Sequence, residues 1–327
     1  MKILITGSSG YIGGCLYEFL NKKYDVYGVD KVLPKLKSQK KFYRCDLTDF
    51  NKTDKIIKLI KPSLIIHLAA KSTVDFIEKK KDYIKNNIIV TKNILKIIRN
   101  NQIKNLIFSS TAAVYKTSNR KLTEKSKLGP NNIYGKTKFS CESNILNFLK
   151  KSNTNYIIFR FFNVCSSLFS LKIGELHDPE THLIPILAKK FKENKKIYIY
   201  GNNFKTKDKT CIRDYIHIAD IIEAFKLGIK YLKQNKTSQI INLGTENGFS
   251  TLQIFKKFQK FYKYKFKKLF FKKRRKGDTD NLICDNKKAY KILKWKPKRS
   301  YISKIINDEK KWLNYIENKG IYRKTIY

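Results

Sequence analysis

The sequence predicts an α/β protein whose larger part is a doubly wound parallel sheet. Three observations carry that reading. Short apolar runs alternate with longer amphipathic stretches through the N-terminal half, the rhythm of strands joined by covering helices. The first run is followed at once by a cluster of glycines, although the 327-residue chain has only 14. After about residue 166 the alternation loosens, which marks off a smaller, discontinuous α+β lobe.

Taken in order, strands are expected at Ile3–Thr6, Tyr24–Asp30, Lys41–Cys45, Leu64–His67, Leu106–Ser110 and Tyr156–Phe162. Helices are expected near 11–21, 52–60, 78–100 and 134–151. Right-handed crossovers through those helices cover both faces of the sheet. Beyond it, 167–213 carries loop signals and one helix, Leu183–Phe191. Arg213–Tyr231 reads as a short strand and a helix, and Ile240–Leu243 as another strand. The stretch 246–300 is short elements rich in lysine and aromatics, with a helix at 251–261 and a half-buried strand at 262–266. The first domain is therefore 1–166 with about 214–245, and the second is 167–213 with 246–327.

Composition narrows the function classes. The longest apolar runs, such as Leu64–Ala70, fall far short of the ~20 residues of a membrane helix. Ile3–Thr6 is too short for a signal peptide core. Six cysteines are scattered without a CxxC pair, which fits a reducing cytoplasm and not a disulfide framework. The net charge of +45 invites a nucleic-acid reading. Only nine of the 71 basic residues are arginine, however, and dedicated readers of nucleic acid lean on arginine. Lysine spread over every solvated face explains the charge without a specific nucleic-acid partner. His67, His177, His182 and His217 lie in different elements without ligand spacing, so no metal site is expected.

Two motifs carry chemistry. Residues 6–13 read Thr-Gly-Ser-Ser-Gly-Tyr-Ile-Gly between the first strand and the first helix. A tight turn, close backbone approach and close helix packing each need glycine, and the helix N-terminus then favours a pyrophosphate. This is the Rossmann-type dinucleotide loop, with Gly7, Gly10, Tyr11, Ile12 and Gly13 as its members. Asp30 ends the second strand about 20 residues on, where a carboxylate takes the adenosine ribose and favours NAD over its 2′-phosphate. The second motif, Tyr134-Gly-Lys-Thr-Lys138, sets a phenol and an amine one helical turn apart. An unperturbed tyrosine, with pKa ~10, is a poor base at neutral pH. A neighbouring ammonium and a positively charged nicotinamide are expected to lower that value.

With these motifs, the chain resembles the extended short-chain dehydrogenase/reductase family, and within it the nucleotide-sugar epimerase branch. The resemblance runs almost end to end. It rests on Thr6–Gly13, Asp46-Leu47, His67–Ala70, Asn86-Asn87, Ser109–Thr111, Val114-Tyr115, Tyr134…Lys138 and Arg160–Asn163. In the second lobe it rests on Pro179–Pro185, Tyr200-Gly201, Arg213–His217, Asn242–Gly244, Arg274–Asp278 and Trp295–Pro297. The resemblance implies NAD as cofactor, a UDP-sugar substrate and a homodimer formed through the helices near 78–100 and 134–151. It implies interconversion of UDP-glucose and UDP-galactose at C4 through a 4-keto sugar, or the same chemistry on a UDP-N-acetylhexosamine or UDP-uronate.

Residue roles follow from the same resemblance. Tyr134 would be the acid/base, Lys138 would hold the nicotinamide ribose, and Thr111 would hydrogen-bond the sugar O4. Asp46 and Leu47 would flank the adenine, while Leu68, Ala69, Ala70 and Lys71 would line the pyrophosphate and ribose. Asn86, Ser109 and Phe161 would complete the cofactor site. Asn163, His182, Leu183, Tyr198, Tyr200, Arg213, Arg275 and Asp278 would grip the UDP moiety, and Leu282 would gate room for a 2-acetamido group. The residue chemistry suits these roles: planar arginines match a diphosphate, and Tyr200 can stack on uracil. Read without the resemblance, Arg213-Asp214 is equally a surface ion pair, and Tyr198 and Tyr200 equally sheet core. Related dehydratases carry an Asp-Glu pair directly after the Thr111 position, where this chain has Ala112 and Ala113, so elimination is not expected. A binding or regulatory protein on the same scaffold, attached to nucleic acid, is the rival class. It has no chemical use for Thr111, Tyr134 and Lys138 together.

Overall fold

The structure is a computed structural model that describes residues 1–34, 39–72, 80–150, 152–177, 179–235, 237–263 and 268–320. In chain order its elements begin with β1 (Lys2–Thr6), α1 (Tyr11–Leu20), β2 (Asp25–Asp30), β3 (Phe42–Arg44), α2 (Phe50–Ile60) and β4 (Leu64–His67). Then come α3 (Lys80–Tyr83), a π-helical stretch Ile84–Ile89, α4 (Val90–Asn100), β5 (Asn105–Thr111), α5 (Ile133–Leu149) and β6 (Asn155–Phe161). The chain continues with β7 (Asn163–Cys165), β8 (Ser167–Leu168), β9 (Ile173–Gly174), α6 (Leu183–Lys192), β10 (Ile197–Tyr200), β11 (Ile212–His217) and α7 (Ile218–Asn235). It ends with β12 (Gln239–Leu243), β13 (Gly248–Ser250), α8 (Thr251–Tyr262), β14 (Leu269–Lys272), β15 (Asn281–Leu282), α9 (Lys287–Leu293) and α10 (Ile302–Asn318).

Two compact units emerge. The first comprises Met1–Lys116, Lys127–Phe161 and Ala224–Ile241. Its seven-stranded sheet runs β12-β6-β5-β4-β1-β2-β3. The pairs from β3 through β6 are parallel, as the alternation predicts. Order reverses between β1 and β4, so the carboxyl ends of those two strands form the topological switch point where such sheets take ligands. The strands are buried on both faces: Leu64–His67 is buried at every position. Side chains of β1, β4, β5 and β6 pack with Ile94, Leu95, Ile97 and Ile98 of α4 and with Cys141, Ile145 and Leu149 of α5 in one core.

The second unit comprises Thr117–Ser126, Phe162–Glu223 and Asn242–Tyr327. There β11 pairs with β7, β13 and β15, while β10 pairs with β14 and β8 with β9. Its core joins Ile184, Leu187 and Phe191 of α6, Ile254, Phe255 and Phe258 of α8, and Ile305, Ile306 and Leu313 of α10. A capping box between Ser250 and Gln253 starts α8. Trp295 is buried, its indole N–H donating to the Asp220 carbonyl at 2.8 Å, and the Asp220 carboxylate accepts from the backbone N–H groups of Lys298 and Arg299. The Trp-Lys-Pro segment is thereby pinned to the start of α7.

Some elements differ from expectation. The strand expected at 262–266 begins on the last residue of α8, and its residues 264–266 lie outside the described residues. The described strand in this region is β14, later in the chain. Lys263 takes a left-handed conformation, φ 55°, and ends the helix there. Lys61 and Lys294 end α2 and α9 in the same way, a position where glycine is usual. A glycine-poor, lysine-rich chain fills even these turns with lysine. The expected single helix at 78–100 is interrupted by the π-helical Ile84–Ile89, and α10 was not foreseen at all.

Candidate active site

In the first unit, the glycine loop leaves the end of β1 at the switch point. The Gly7 N–H donates to the Val29 carbonyl at 2.9 Å, and Gly7 has φ +74°, a conformation that strains any other residue. A Cβ on Gly7 would stand 2.7 Å from the Ala69 nitrogen, and one on Gly13 would stand 2.1 Å from the Gly7 carbonyl oxygen. The loop, the first turn of α1 and the Leu68–Ala69 run thus touch backbone to backbone. Gly10 is the N-cap of α1 and offers no side-chain cap, so Tyr11, Ile12 and Gly13 open the helix with backbone facing the loop. Such a helix N-terminus fits a pyrophosphate.

The flanking residues are held to this cradle. The Asp30 carboxylate accepts the N–H groups of Ser9 and Val32, each at 3.1 Å, so the strand-end acid is tied directly to the glycine loop. Asp46 Oδ1 accepts the N–H and hydroxyl of Thr48, both at 2.9 Å, and Leu47 is buried beside it. The Leu68 N–H donates to the Thr6 carbonyl at 3.1 Å. Ala69 and Ala70 follow at the carboxyl end of β4. The Lys71 N–H donates to Asn87 Oδ1 at 2.7 Å, and Asn87 Nδ2 donates to Lys71 O at 3.2 Å and Thr137 Oγ1 at 2.9 Å. Asn86 accepts from Lys31 Nζ at 3.0 Å. Of the Asn86-Asn87 pair, Asn87 is the buried one and connects the β4 loop to α5. The resemblance names Asn86 for the cofactor, and the structure adds Asn87 as its buried neighbour in the π-helical stretch.

Thr111, Tyr134 and Lys138 come together where β5 ends and α5 begins. Asn132 caps α5 by accepting the Gly135 N–H at 2.7 Å. A Cβ on Gly135 would lie 2.3 Å from the Ala113 carbonyl oxygen, so glycine lets the helix start press on the turn after Thr111. Thr111 hydrogen-bonds the Tyr134 phenol and also accepts the Ala113 N–H at 3.2 Å. Lys138, one turn along, is 2% exposed, with Nζ 4.3 Å from the Phe108 ring centroid. Ser109 Oγ donates to the His67 carbonyl at 3.3 Å. Phe161, at the end of β6, stacks on Phe159 and meets Phe225.

Beneath this triplet lies a buried ionic network that sequence reasoning missed. Arg160 Nη2 is 2.6 Å from Glu142 Oε2 and Arg160 Nε is 3.0 Å from Oε1, a two-pronged pair inside the core. Glu142 also accepts from Ser110, and Arg160 donates to the Tyr115 hydroxyl at 2.9 Å. Glu142 stands one turn beyond Lys138 and Ser110 between Ser109 and Thr111, so the network fixes α5 against β5. Its visible signal was a second charged residue, Glu142, one turn after Lys138 on the buried face of α5.

The electrostatics of the protein groups alone set a starting point for Tyr134. Burial pushes the Tyr134 phenol up to about 12, against the opposing Thr111 hydrogen bond, and Lys138 is not among the groups that move it. Burial pushes Lys138 itself down to about 8. The ammonium alone therefore does not make Tyr134 a base. The phenol held by these residues is a proton donor at neutral pH, and it becomes an acceptor only beside an added positive charge. His67 is neutral, pushed down to about 3 by burial and then by the Lys138 charge. It joins β1 to α4 through Thr6 Oγ1 at 2.7 Å and Thr91 Oγ1 at 3.2 Å.

In the second unit, Tyr200, Arg213, Arg275 and Asp278 come together. The Arg275 guanidinium lies 4.1 Å from the Tyr200 ring centroid, and Arg213 Nη2 is 3.5 Å from Asp278 Oδ1. Arg213 Nη1 donates to the Thr279 carbonyl at 2.8 Å, which fixes its head group in the 275–280 turn. Tyr198 and Tyr200 are both on the exposed face of β10, so they are not sheet core. Lys272 lies 4.3 Å from the Tyr198 ring, a contact not anticipated. Asp214 is no surface partner of Arg213: it is fully buried and accepts the N–H groups of Thr245, Glu246 and Cys284. Leu282 pairs directly with Arg213 across β15 and β11. Asn163 pairs with Tyr215 on the other side of β11, and Leu183 opens α6.

His182 is the N-cap residue of α6 and keeps different company. It stands with Glu175, His177 and Glu180, their donor atoms within 4.8 Å of one another. This overturns the expectation that the four histidines lie apart, since two of them meet here. His217 is a separate case, held 3.2 Å from Asp308 and accepting the Ala219 N–H.

Residues 3–244 match the family model described as the NAD dependent epimerase/dehydratase family. The UDP-glucose 4-epimerase of Lactobacillus helveticus is 34% identical over 320 residues, 95% of this chain and 97% of that protein. The UDP-glucose 4-epimerase of Bifidobacterium longum, solved in complex with NAD+ and UDP, superposes with a TM-score of 0.90 at 29% identity, covering 97% of this chain and 99% of that one. The UDP-Glc/GlcNAc 4-epimerase of Campylobacter jejuni gives a TM-score of 0.80 at 30% identity, covering 96% of this chain and 99% of that one.

Proposed function

The chain belongs to the NAD dependent epimerase/dehydratase family, and on that footing we propose that it interconverts UDP-glucose and UDP-galactose by inverting C4, with NAD as resident cofactor. The observation that carries the reading is the Tyr134–Thr111 hydrogen bond beside a buried Lys138, in the unit that also holds the glycine cradle.

The cradle's fit to NAD rests on its shape and chemistry. The backbone contacts at Gly7 and Gly13 leave no room for side chains, and Gly10 leaves the start of α1 without a side-chain cap. Asp30 is fixed as a carboxylate acceptor at the end of β2, as a ribose without a 2′-phosphate requires. These residues would hold NAD, which when bound would supply a reversible hydride acceptor for C4, with no net redox over the cycle. Tyr134 takes the O4 proton and gives it back, while Thr111 orients the phenol and the sugar hydroxyl. Lys138 holds the ribose of the nicotinamide and keeps a positive charge under Tyr134. In the second unit, Arg213 and Arg275 offer planar donors to the diphosphate, Tyr200 offers a face to uracil, and Asp278 accepts from a ribose hydroxyl. Asn163, His182, Leu183 and Tyr198 extend that set. Held by its UDP end, the keto sugar turns and presents its other face. No carboxylate follows Thr111, which supports epimerisation over loss of water.

Protein purified without added NAD is expected to convert UDP-galactose to UDP-glucose. Failure even after NAD is restored would overturn the reading. A parallel reaction with UDP-N-acetylgalactosamine reports whether Leu282, beside Arg213, admits an acetamido group. A UDP-uronate in the same assay reports the remaining alternative.

The proposal extends to assembly and location. Among the described residues no helix is long and apolar enough to cross a membrane. Six free cysteines, five of them buried, suit a reducing cytoplasm. Ile89 and Leu146, 43% and 36% exposed, leave apolar surface on the π-helical stretch and α5, which supports a homodimer through these helices. Light scattering at micromolar concentration is expected to give twice the chain mass; a monomer there removes the dimer.

A further inference from the structure

We infer that Glu175, His177, Glu180 and His182 form a binding site for one divalent transition-metal cation of the zinc type. The site stands apart from the proposed catalysis: it uses neither Tyr134, Lys138 nor Thr111, and only His182 is shared with the proposed UDP set. The sequence writes it as Glu-x-His twice, five residues apart, in the segment before α6.

The geometry is that of ligands around a shared centre. His182 Nδ1 lies 2.6 Å from Glu175 Oε1 and 3.3 Å from Glu180 Oε1. His177 Nδ1 lies 3.2 Å from Glu175 Oε1 and 3.7 Å from Glu180 Oε2. Four ligands about 2.0–2.1 Å from a tetrahedral zinc stand about 3.3 Å from one another, near the four His–Glu separations here, while the widest pair, within 4.8 Å, must close further. Without a metal the two imidazoles pair with the two carboxylates, which against burial raise His177 to about 9 and His182 to about 10, so a binding cation displaces their protons. Glu175 is 3% exposed, yet its Oε2 lacks a partner. A third carboxyl, Glu309 of α10, is buried close enough to feel Glu175 and Glu180, and its Oε2 is unpartnered too. The buried Glu175 Oε2, left without a partner, favours a cation, while burial and the Glu175 and Glu180 charges hold Glu309 neutral.

The donors are also pre-positioned. Trp312 Nε1 donates to the Glu175 carbonyl at 2.8 Å, and the Trp312 ring packs so closely on Gly174 that a Cβ there would come within 2.7 Å. Glu180 Oε1 accepts the N–H groups of Thr181 and His182, each at 2.8 Å, which locks its carboxylate across the start of α6. The His177 and His182 side chains are 27% and 40% exposed, so an ion can enter from solvent. Two imidazole nitrogens and two carboxylate oxygens suit zinc, cobalt or manganese, and two neutral imidazoles with two carboxylates balance a charge of +2. Magnesium, which keeps its waters and prefers octahedral oxygen, is a poor match. With four protein ligands the site is closed, and its role is to staple the 175–182 segment to α6.

The test uses the full chain, treated with a chelator, dialysed and titrated with Co2+ alone. We expect one equivalent to bind with the visible absorption of tetrahedral cobalt, and one equivalent of Zn2+ to bleach it. His177→Gln and Glu180→Gln should each weaken Co2+ binding at least tenfold while the metal-free far-ultraviolet circular dichroism stays that of the parent. Less than one equivalent bound, a spectrum unchanged in both variants, or a thiolate charge-transfer band pointing to cysteine ligands would each overturn the assignment. These readouts do not involve turnover, so they fail or succeed independently of the proposed reaction.

Discussion

Replacing Tyr134 by phenylalanine is expected to lower the turnover of UDP-galactose by about 10³-fold, the middle of the range for loss of a positioned acid/base, while NAD stays bound. Phenylalanine keeps the ring in its place on the first turn of α5 and removes only the hydroxyl that Thr111 holds. Thr111 keeps the Ala113 N–H as a partner, so the strand end is not left unsatisfied. None of the glycine-loop contacts involves Tyr134, so cofactor stoichiometry, read from the absorbance of the purified variant, is expected to match the parent. A loss below tenfold would move the proton transfer to another group. Loss of bound NAD would mean that Tyr134 acts on binding instead.

The second large effect is on stability. Arg160→Leu leaves the buried Glu142 with the Ser110 hydroxyl and the charge of Lys138 one turn away, and without its two-pronged partner. Breaking one side of a buried ion pair costs about 3–5 kcal/mol, a large share of the roughly 5–15 kcal/mol that keeps a domain folded. The double variant Arg160→Met with Glu142→Leu is expected to recover most of that loss, because no charge is then stranded. Urea midpoints of the parent, single and double variants check both statements. A single variant within 1 kcal/mol of the parent would show that water or a neighbour already compensates Glu142. Because Glu142 follows Lys138 by one turn and Ser110 adjoins Thr111, the single variant is also expected to lose activity before it unfolds.

Much of the first unit was legible in the sequence for physical reasons. Strands buried on both faces read as unbroken apolar runs, and Leu64–His67 is an example. The glycine loop stood out because glycine is otherwise scarce, and the contacts at Gly7 and Gly13 explain why it is retained there. The Tyr134–Lys138 spacing was readable as one helical turn because α5 is a regular helix in that stretch. Where regularity failed, so did the reading. The buried Asn87 lies in the π-helical stretch, where helical spacing gives no guide to which side chain faces inward. The Glu175–His182 cluster has no strand or helix period, and it combines acids with histidines that were considered alone. The Glu142–Arg160 pair spans 18 positions and two elements, a distance at which charge complementarity leaves no local pattern.

The threading of the chain has a consequence for its birth on the ribosome. The central sheet is not finished by its sixth strand: β12, which closes the β6 edge, belongs to a segment of the first unit that returns only at 224–241. Between Phe161 and Ile241 eighty residues must be translated, and at about 5–20 residues per second that is roughly 4–16 s. Through that interval β6, with Ile157, Ile158 and Phe159 along it, waits with one flank of backbone donors and acceptors open. An unpaired apolar edge is a template for pairing with another nascent chain. Slower synthesis or a shortage of chaperones lengthens that exposure and is expected to lower the share of chains recovered intact.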